Sequence, residues 1–168
     1  MHIRAYVDSD AAPTLDVFQR AIRETASRHY SPEQIEVWAR PDIDLDDWAQ
    51  KRAATETLVS SIDDVIAGFI DIDSTGHIDM LFVSPDFGHQ GVATALLAAA
   101  MASAERSGIT TLSVEASLTA KPLFENHGFV VIEEQKPILR GVEMTNFRMH
   151  RILGPSNRNV PLLSRGLG

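Results

Sequence analysis

The stretch Ile78-Asp-Met-Leu-Phe-Val-Ser-Pro-Asp-Phe-Gly-His-Gln-Gly-Val-Ala-Thr-Ala-Leu-Leu97 decides how the rest of this chain is read. It predicts a buried strand, a short loop holding Gly88 and Gly91, and then an amphipathic helix. A strand that feeds a glycine loop at a helix start aims several free backbone N–H groups at one point. That point suits a phosphate or pyrophosphate.

Around this unit the chain alternates helix and strand signals. His2–Val7 is an expected first strand. Leu15, Phe18 and Ile22 recur at helical spacing, with Val17 and Ala21 widening the stripe. Ser31-Pro32-Glu33-Gln34 is a helix start, with Ser31 as cap, Pro32 in the first position and Gln34 closing a capping box. Asp44-Leu45-Asp46-Asp47-Trp48 is a second, acidic one. Thr57–Ile62 and Asp64–Asp73 are expected strands. The latter should place Ile66, Gly68, Ile70 and Ile72 on one face and Val65, Ala67 and Phe69 on the other. Ser74-Thr75-Gly76 then turns the chain into His77–Val83 as a hairpin. The helix after the glycine loop should run to about Arg106, with Gly108 as its stop. Thr111–Ala116 alternates as a strand, and Thr119–Asn126 is a short helix closed by Gly128. Phe129–Glu134 and Val142–Arg151 complete a mixed α/β sheet, antiparallel in its middle, with a late β-α-β crossover. A single domain is expected over 1–153, with 154–168 as a loosely ordered tail in which Val160-Pro161-Leu162-Leu163 could dock on the body.

Composition narrows the function classes. The net charge of −8 makes nucleic acid and anionic membranes poor partners. The chain has no cysteine, which excludes disulfides, thiolate metal sites and a cysteine nucleophile. No apolar run approaches ~20 residues, and the N-terminus lacks a basic-then-apolar signal pattern, so a cytoplasmic protein is expected. The six histidines show no metal-binding spacing, and no metal is expected. Neither Gly-x-Gly-x-x-Gly nor a P-loop Gly-Lys-Ser/Thr is present.

Leu81-Phe82-Val83-Ser84-Pro85, Gly88-His89-Gln90-Gly91-Val92-Ala93 and Ala120-Lys121-Pro122-Leu123-Phe124-Glu125-Asn126-His127-Gly128-Phe129 together resemble the GNAT superfamily of acyl-CoA-dependent N-acyltransferases. Ser27–Trp38 and Arg140–Met149 resemble its YafP-like bacterial branch. The resemblance implies a GNAT fold: a mixed sheet of six to seven strands flanked by helices and splayed between the fourth and fifth strands, with acetyl-CoA as co-substrate. Three positions depart from the family pattern. Gly88 stands where Arg or Gln is usual, Ser117 replaces an Asn, and Phe124 replaces the Tyr that many relatives place near the CoA sulfur as general acid.

The residues then take chemical roles. Backbone N–H groups from Gly88 through His89, Gln90, Gly91, Val92 and Ala93 to Thr94 should converge on the CoA pyrophosphate. Hydrogen bonds to charged groups are worth about 1.5–3 kcal/mol each. Leu81, Phe82 and Val83 offer a strand edge to the pantetheine amides. Ser117, Lys121 and Phe124 complete the expected cofactor set, with Lys121 reaching for the CoA phosphates.

Neutralising a lysine-like ammonium at pH 7 costs about 4.6 kcal/mol, so a base or a water chain helps. Asp79 is the candidate, expected on the same sheet face as Leu81 and Val83, with Glu115 as the weaker alternative. The Val83 N–H should polarise the thioester carbonyl, and Tyr30 is the candidate acid. His29, Trp38, Arg140, Asn146 and Phe147 are expected around an unidentified amine acceptor. Exposed sheet edges make a homodimer plausible. The competing readings are a non-catalytic acyl-CoA-binding module and an unrelated nucleotide-binding α/β protein.

Overall fold

The computed structural model describes residues 1–154, so the expected tail lies outside the described residues apart from Gly154. The chain opens with β1 (His2–Ala5) and α1 (Ala11–Arg20), whose end widens into a π turn over Ala21–Thr25. Helix α2 (Pro32–Trp38) starts as its capping box predicts. Ser31 Oγ accepts the Gln34 N–H at 3.2 Å, and Gln34 Oε1 accepts the Ser31 N–H at 2.8 Å. Helix α3 (Leu45–Ala54) is capped by the Asp44 carboxylate, which accepts the Asp47 N–H at 2.9 Å. A meander follows: β2 (Glu56–Ile62), β3 (Val65–Ile72) and β4 (His77–Val83). Then come α4 (Val92–Arg106), β5 (Thr111–Ser117), α5 (Lys121–Asn126), β6 (Val130–Gln135), a small ribbon of β7 (Ile138–Leu139) and β8 (Val142–Glu143), and β9 (Asn146–Ile152).

The seven-stranded sheet has the order β1-β2-β3-β4-β5-β9-β6. Its pairs are antiparallel except β4–β5, which is parallel, as the β4-α4-β5 crossover requires. That parallel pair is joined only at His77↔Ser113 and Ile78↔Val114. Beyond these rungs the two strands part, which is the expected splay between the fourth and fifth strands.

Each face of the sheet holds one core. On the α4 face, Ile70, Ile72, Ile78, Leu112 and Val114 pack under Val92, Leu96 and Ala100. On the other face, Phe69, Met80 and Phe82 meet Phe18, Ile22, Tyr30 and Trp48 from α1–α3 and the turn between α1 and α2. Gly68 lets α4 lie close on β3. A Cβ there would stand 2.8 Å from the Phe82 carbonyl oxygen, 3.0 Å from Val92 Cγ1 and 3.1 Å from Leu96 Cδ1.

Three expectations from simple alternation are corrected. In β3, the register slips opposite Ser60/Ser61, so Ile66 packs in the α1–α3 core while Ala67, Ile70 and Ile72 pack on the α4 face. In β4, a bulge leaves Asp79 unpaired between Ile78↔Ile72 and Met80↔Asp71. Ile78, Leu81 and Val83 therefore share the α4 face, whereas Asp79 reaches Arg52 of α3 on the other. The expected single strand Val142–Arg151 is two. The chain leaves the ribbon at Met144, whose side chain is buried and whose N–H donates to the Pro137 carbonyl at 2.8 Å, before β9 begins.

Candidate active site

Ser84-Pro85-Asp86-Phe87 forms a single 3-10 turn, and the glycine loop then delivers the chain to α4. Gly91 is the residue before the helix, at φ +78, where a side chain is strained, and no atom lies within 4 Å of where its Cβ would be. His89 also has positive φ, 59°. The first helical bond runs from Ala95 N–H to the Gly91 carbonyl at 3.0 Å. The N–H groups of Val92, Ala93 and Thr94 consequently have no partner inside the helix. Gly88, by contrast, has an ordinary φ of −60°, and a Cβ there would lie 3.7 Å from the Pro85 carbonyl oxygen, so neither backbone freedom nor close packing requires a glycine at this position. Arg20 holds the approach to this loop through a two-pronged pair with Asp86 at 2.7 and 3.0 Å.

The free edge of β4 continues the site. Ser84 N–H donates to the Ala67 carbonyl at 2.8 Å, and Met80 N–H donates to Asp71 Oδ1 at 2.7 Å, so both point at β3. Strand alternation turns the N–H groups of Leu81 and Val83 the opposite way, into the gap left by β5.

That gap is a cleft of about 460 Å³ that passes between the two cores. Leu81, Val114, Ala116 and Phe124 line it from the α4–α5 face. Phe18, Tyr30, Trp38, Met80, Phe82 and Met144 line it from the other. Asp79, Glu115 and Asn146 supply polar groups. His77, not singled out above, does too. Its Nδ1 lies 2.8 Å from Ser113 Oγ at the first of the two rungs that join β4 to β5. The only hint of it in the sequence was its place two residues before Asp79.

The candidates divide as follows. The Asp79 side chain is 63% exposed, with Oδ2 3.9 Å from Arg52 Nη2. Ser117 accepts the Ala120 N–H at 3.0 Å and so opens α5. Phe124 is buried against Phe129, ring centroids 5.0 Å apart, and presents no hydroxyl. Lys121 sits over the Phe147 ring at 4.8 Å and pairs with Glu125 at 3.5 Å. Its ammonium is engaged there rather than at the glycine loop.

Of the expected acceptor-side residues, Trp38 and Asn146 line the cleft. His29 bonds Thr119 at 3.0 Å, Arg140 is an exposed turn residue at φ 50°, and Phe147 packs on the α4-face core. Tyr30 lines the cleft, but its hydroxyl is committed. It donates to the Thr145 carbonyl at 2.6 Å and accepts the Leu118 N–H at 2.9 Å. Burial pushes its phenol up, and the Leu118 bond opposes this only in part. Tyr30 is thus a clasp across the ends of β5 and β9, and the expected role of free proton donor gives way to it.

Beneath Asp79 lies a buried ion pair that the sequence did not reveal. Arg52 Nε stands 3.2 Å from Asp71 Oδ2, with side chains 2% and 1% exposed, and the guanidinium stacks on Trp48 at 4.5 Å. Burial pushes the Asp71 carboxyl from 3.8 up to about 6, against the pull of Arg52. Asp71 Oδ1 meanwhile replaces a strand carbonyl for Met80 at the bulge, and so holds the β4 edge in place.

This is an α/β fold in which a sheet forks beside a cleft and the strand that edges the cleft, β4, leads through a glycine loop to a helix N-terminus. Residues 26–151 match the family model described as acetyltransferase (GNAT) domain. The chain is 41% identical over 149 residues to the uncharacterized N-acetyltransferase YafP of Escherichia coli, covering 89% of this chain and 94% of that one. Among solved structures it resembles a GCN5-related N-acetyltransferase from Rhodopseudomonas palustris, with 32% identity, TM-score 0.87, and 90% and 95% of the two chains covered. The fold is shared with the PaiA N-acetyltransferase of Thermoplasma acidophilum, solved with coenzyme A, at 19% identity, TM-score 0.76, and 90% and 98% coverage. The chain belongs to the GNAT acetyltransferase family, and it is an acetyl-CoA-dependent N-acetyltransferase.

Proposed function

We propose that the protein moves an acetyl group from acetyl-CoA directly onto a primary amine, with both partners held together where β4 and β5 part. The observation that carries this is the two-rung pairing of those strands beside the start of α4. It leaves a strand edge along the cleft and, past the C-terminal end of that strand, a cluster of N–H groups without partners inside α4. The residues fit acetyl-CoA. Val92, Ala93 and Thr94 offer N–H groups to a diphosphate, the small Gly91 and Ala93 allow close approach, and Leu81 and Val83 offer edge N–H groups to amides.

When bound, acetyl-CoA supplies the acyl group on a thiol leaving group whose pKa is about 8.5. The Val83 N–H is the donor proposed for the thioester carbonyl oxygen. Asp79 receives the amine proton, through water or directly, and Glu115 on the facing strand is the second choice. The apolar wall of Phe18, Trp38 and Met144 disfavours an ammonium and so reduces the cost of deprotonation. Tyr30 ties the ends of β5 and β9 together at the cleft wall. No side-chain acid is required, because a thiolate leaves tolerably near neutral pH. The absence of cysteine excludes a cysteine-linked acyl-enzyme, which favours one-step transfer.

We place the reaction in the cytoplasm. A homodimer is the assembly proposed, from the free β6 edge with its exposed Val130, Val131 and Ile132. Light scattering at two concentrations checks this. Calorimetry with acetyl-CoA against ATP and NAD, followed by amine-dependent thiol release, tests the central reading. Binding of acetyl-CoA with no amine-dependent release would instead support the non-catalytic reading that Phe124 raises.

A further inference from the structure

We infer that the acceptor is a primary amine carried on an apolar body that has no carboxylate of its own, seated on the α1–α2 side of the cleft. This rests on the acetyl-transfer reading and narrows it to a substrate class.

The two cores divide the cleft wall by chemistry. Leu81, Val114 and Ala116 belong to the α4-face core and lie beside the β4 edge assigned to the cofactor arm. The opposite wall is aromatic and thioether-rich. Tyr30 and Trp38 meet edge to face at 5.2 Å, Trp38 meets Phe82 at 6.2 Å, and Met80 and Met144 fill between them. At the rim stands Ile138, 65% exposed, an aliphatic lip on the β7–β8 ribbon. Gln34 ties that ribbon to α2 by donating to the Glu143 carbonyl at 3.0 Å. A wholly hydrophilic guest would leave this wall and lip unpartnered.

The polar groups point to the other half of the ligand. Among the described residues lining the cleft, the formally charged side chains are Asp79 and Glu115, and neither Lys nor Arg is among them. The nearest guanidinium, Arg52, is buried and faces Asp71 and Asp79. Arg148, opposite Glu115 on β9, is 3.2 Å from Glu133. Asn146 also lines the cleft, and its Oδ1 is buried without a hydrogen-bond partner. An amine suits the two carboxylates. A substrate carboxylate would enter beside two like charges and find no cation.

The test compares phenethylamine, phenylalanine and ethanolamine by thiol release, with ligand-observed NMR of each amine on the protein without acetyl-CoA. Phenethylamine is expected to show a kcat/KM at least about tenfold above either of the others, as one or two apolar groups and one misplaced charge allow, and to give the strongest NMR contact. The Trp38→Ala variant should raise the phenethylamine KM about tenfold with the acetyl-CoA KM unchanged, and Trp38→Phe should restore most of it. Melting curves establish that both variants fold. Equal use of phenylalanine or ethanolamine overturns the inference. So does failure of all three amines while calorimetry still shows acetyl-CoA binding, and so does an unchanged KM in folded Trp38→Ala. Loss of acetyl-CoA binding itself would bring down the acetyl-transfer reading instead.

Discussion

Asp79 illustrates what a single position takes from its neighbours. Its sequence place promised a carboxylate beside the proposed cofactor edge, and the bulge in the strand turned it to the opposite face, the side we propose for the acceptor. A base belongs on that side. Asp79→Asn should lower kcat about 100-fold or more at pH 7 while leaving the acetyl-CoA KM in place, which steady-state kinetics would read. A variant with wild-type kcat would remove Asp79 from the mechanism.

Asp71 makes a pH prediction. Its folded-state pKa of about 6 exceeds the unfolded 3.8, so the unfolded chain gives up this proton first. Its contribution to stability is full below about pH 4 and is lost as pH rises through 6. Two pK units correspond to about 3 kcal/mol. Melting curves from pH 4 to 7 should show wild type losing ground against Asp71→Asn across that window, and a flat difference would refute the titration. Gly91→Ala tests the loop. The substitution meets no atoms but forces a side chain at φ +78, for about 1 kcal/mol of strain, and should raise the acetyl-CoA KM several-fold. The turn at Gly91 was legible because its chemistry is local, whereas the face of Asp79 was not, because the bulge that sets it depends on the partner strand. Asp71 and Arg52 were not, because a charge in mid-strand and one in mid-helix look solvated until the fold buries both.

At the level of elements, caps and helix periodicity read cleanly. Ser31-Pro32-Glu33-Gln34 and Asp44 start the helices they predict, because a cap is made by residues within one turn of each other. Strand faces read less well. The slips at Ser60/Ser61 and at Asp71/Ile72 shift the side-chain phase of β3 and β4, and nothing in Val65–Ile72 or His77–Val83 alone announces an extra residue. The contact between α4 and β3 depends on Gly68, whose missing side chain was read only as part of an alternating strand. Gly68→Ala should destabilise the protein by about 1–3 kcal/mol, because its Cβ would press on the Phe82 backbone and on two core side chains. Denaturant unfolding would show this as a lowered midpoint with an unchanged slope. A neutral result would mean that α4 rides higher on the sheet than described.

For the whole molecule, the order of elements along the chain was expected and the fork between β4 and β5 was implied by the family resemblance, but the position of β9 between β5 and β6 was not read. The residues proposed for the cofactor diphosphate and amides, Leu81 to Thr94, come from one contiguous stretch and carry their own pattern. The wall proposed for the acceptor gathers Phe18, Tyr30, Trp38, Phe82 and Met144 from five places in the chain, and of these only Tyr30 and Trp38 were singled out from sequence for the acceptor side. The same dispersion explains why His29, Arg140 and Phe147 were drawn toward the acceptor by sequence and set elsewhere by the fold.

The two indoles now differ in kind. Trp48 is sealed beside Arg52 and Thr14, whereas Trp38 forms part of the wall that a guest amine would touch. Intrinsic emission from this protein therefore contains one silent and one responsive fluorophore. Exchanging Trp48 for Phe would leave a native optical probe that follows acceptor arrival in real time, without any added dye.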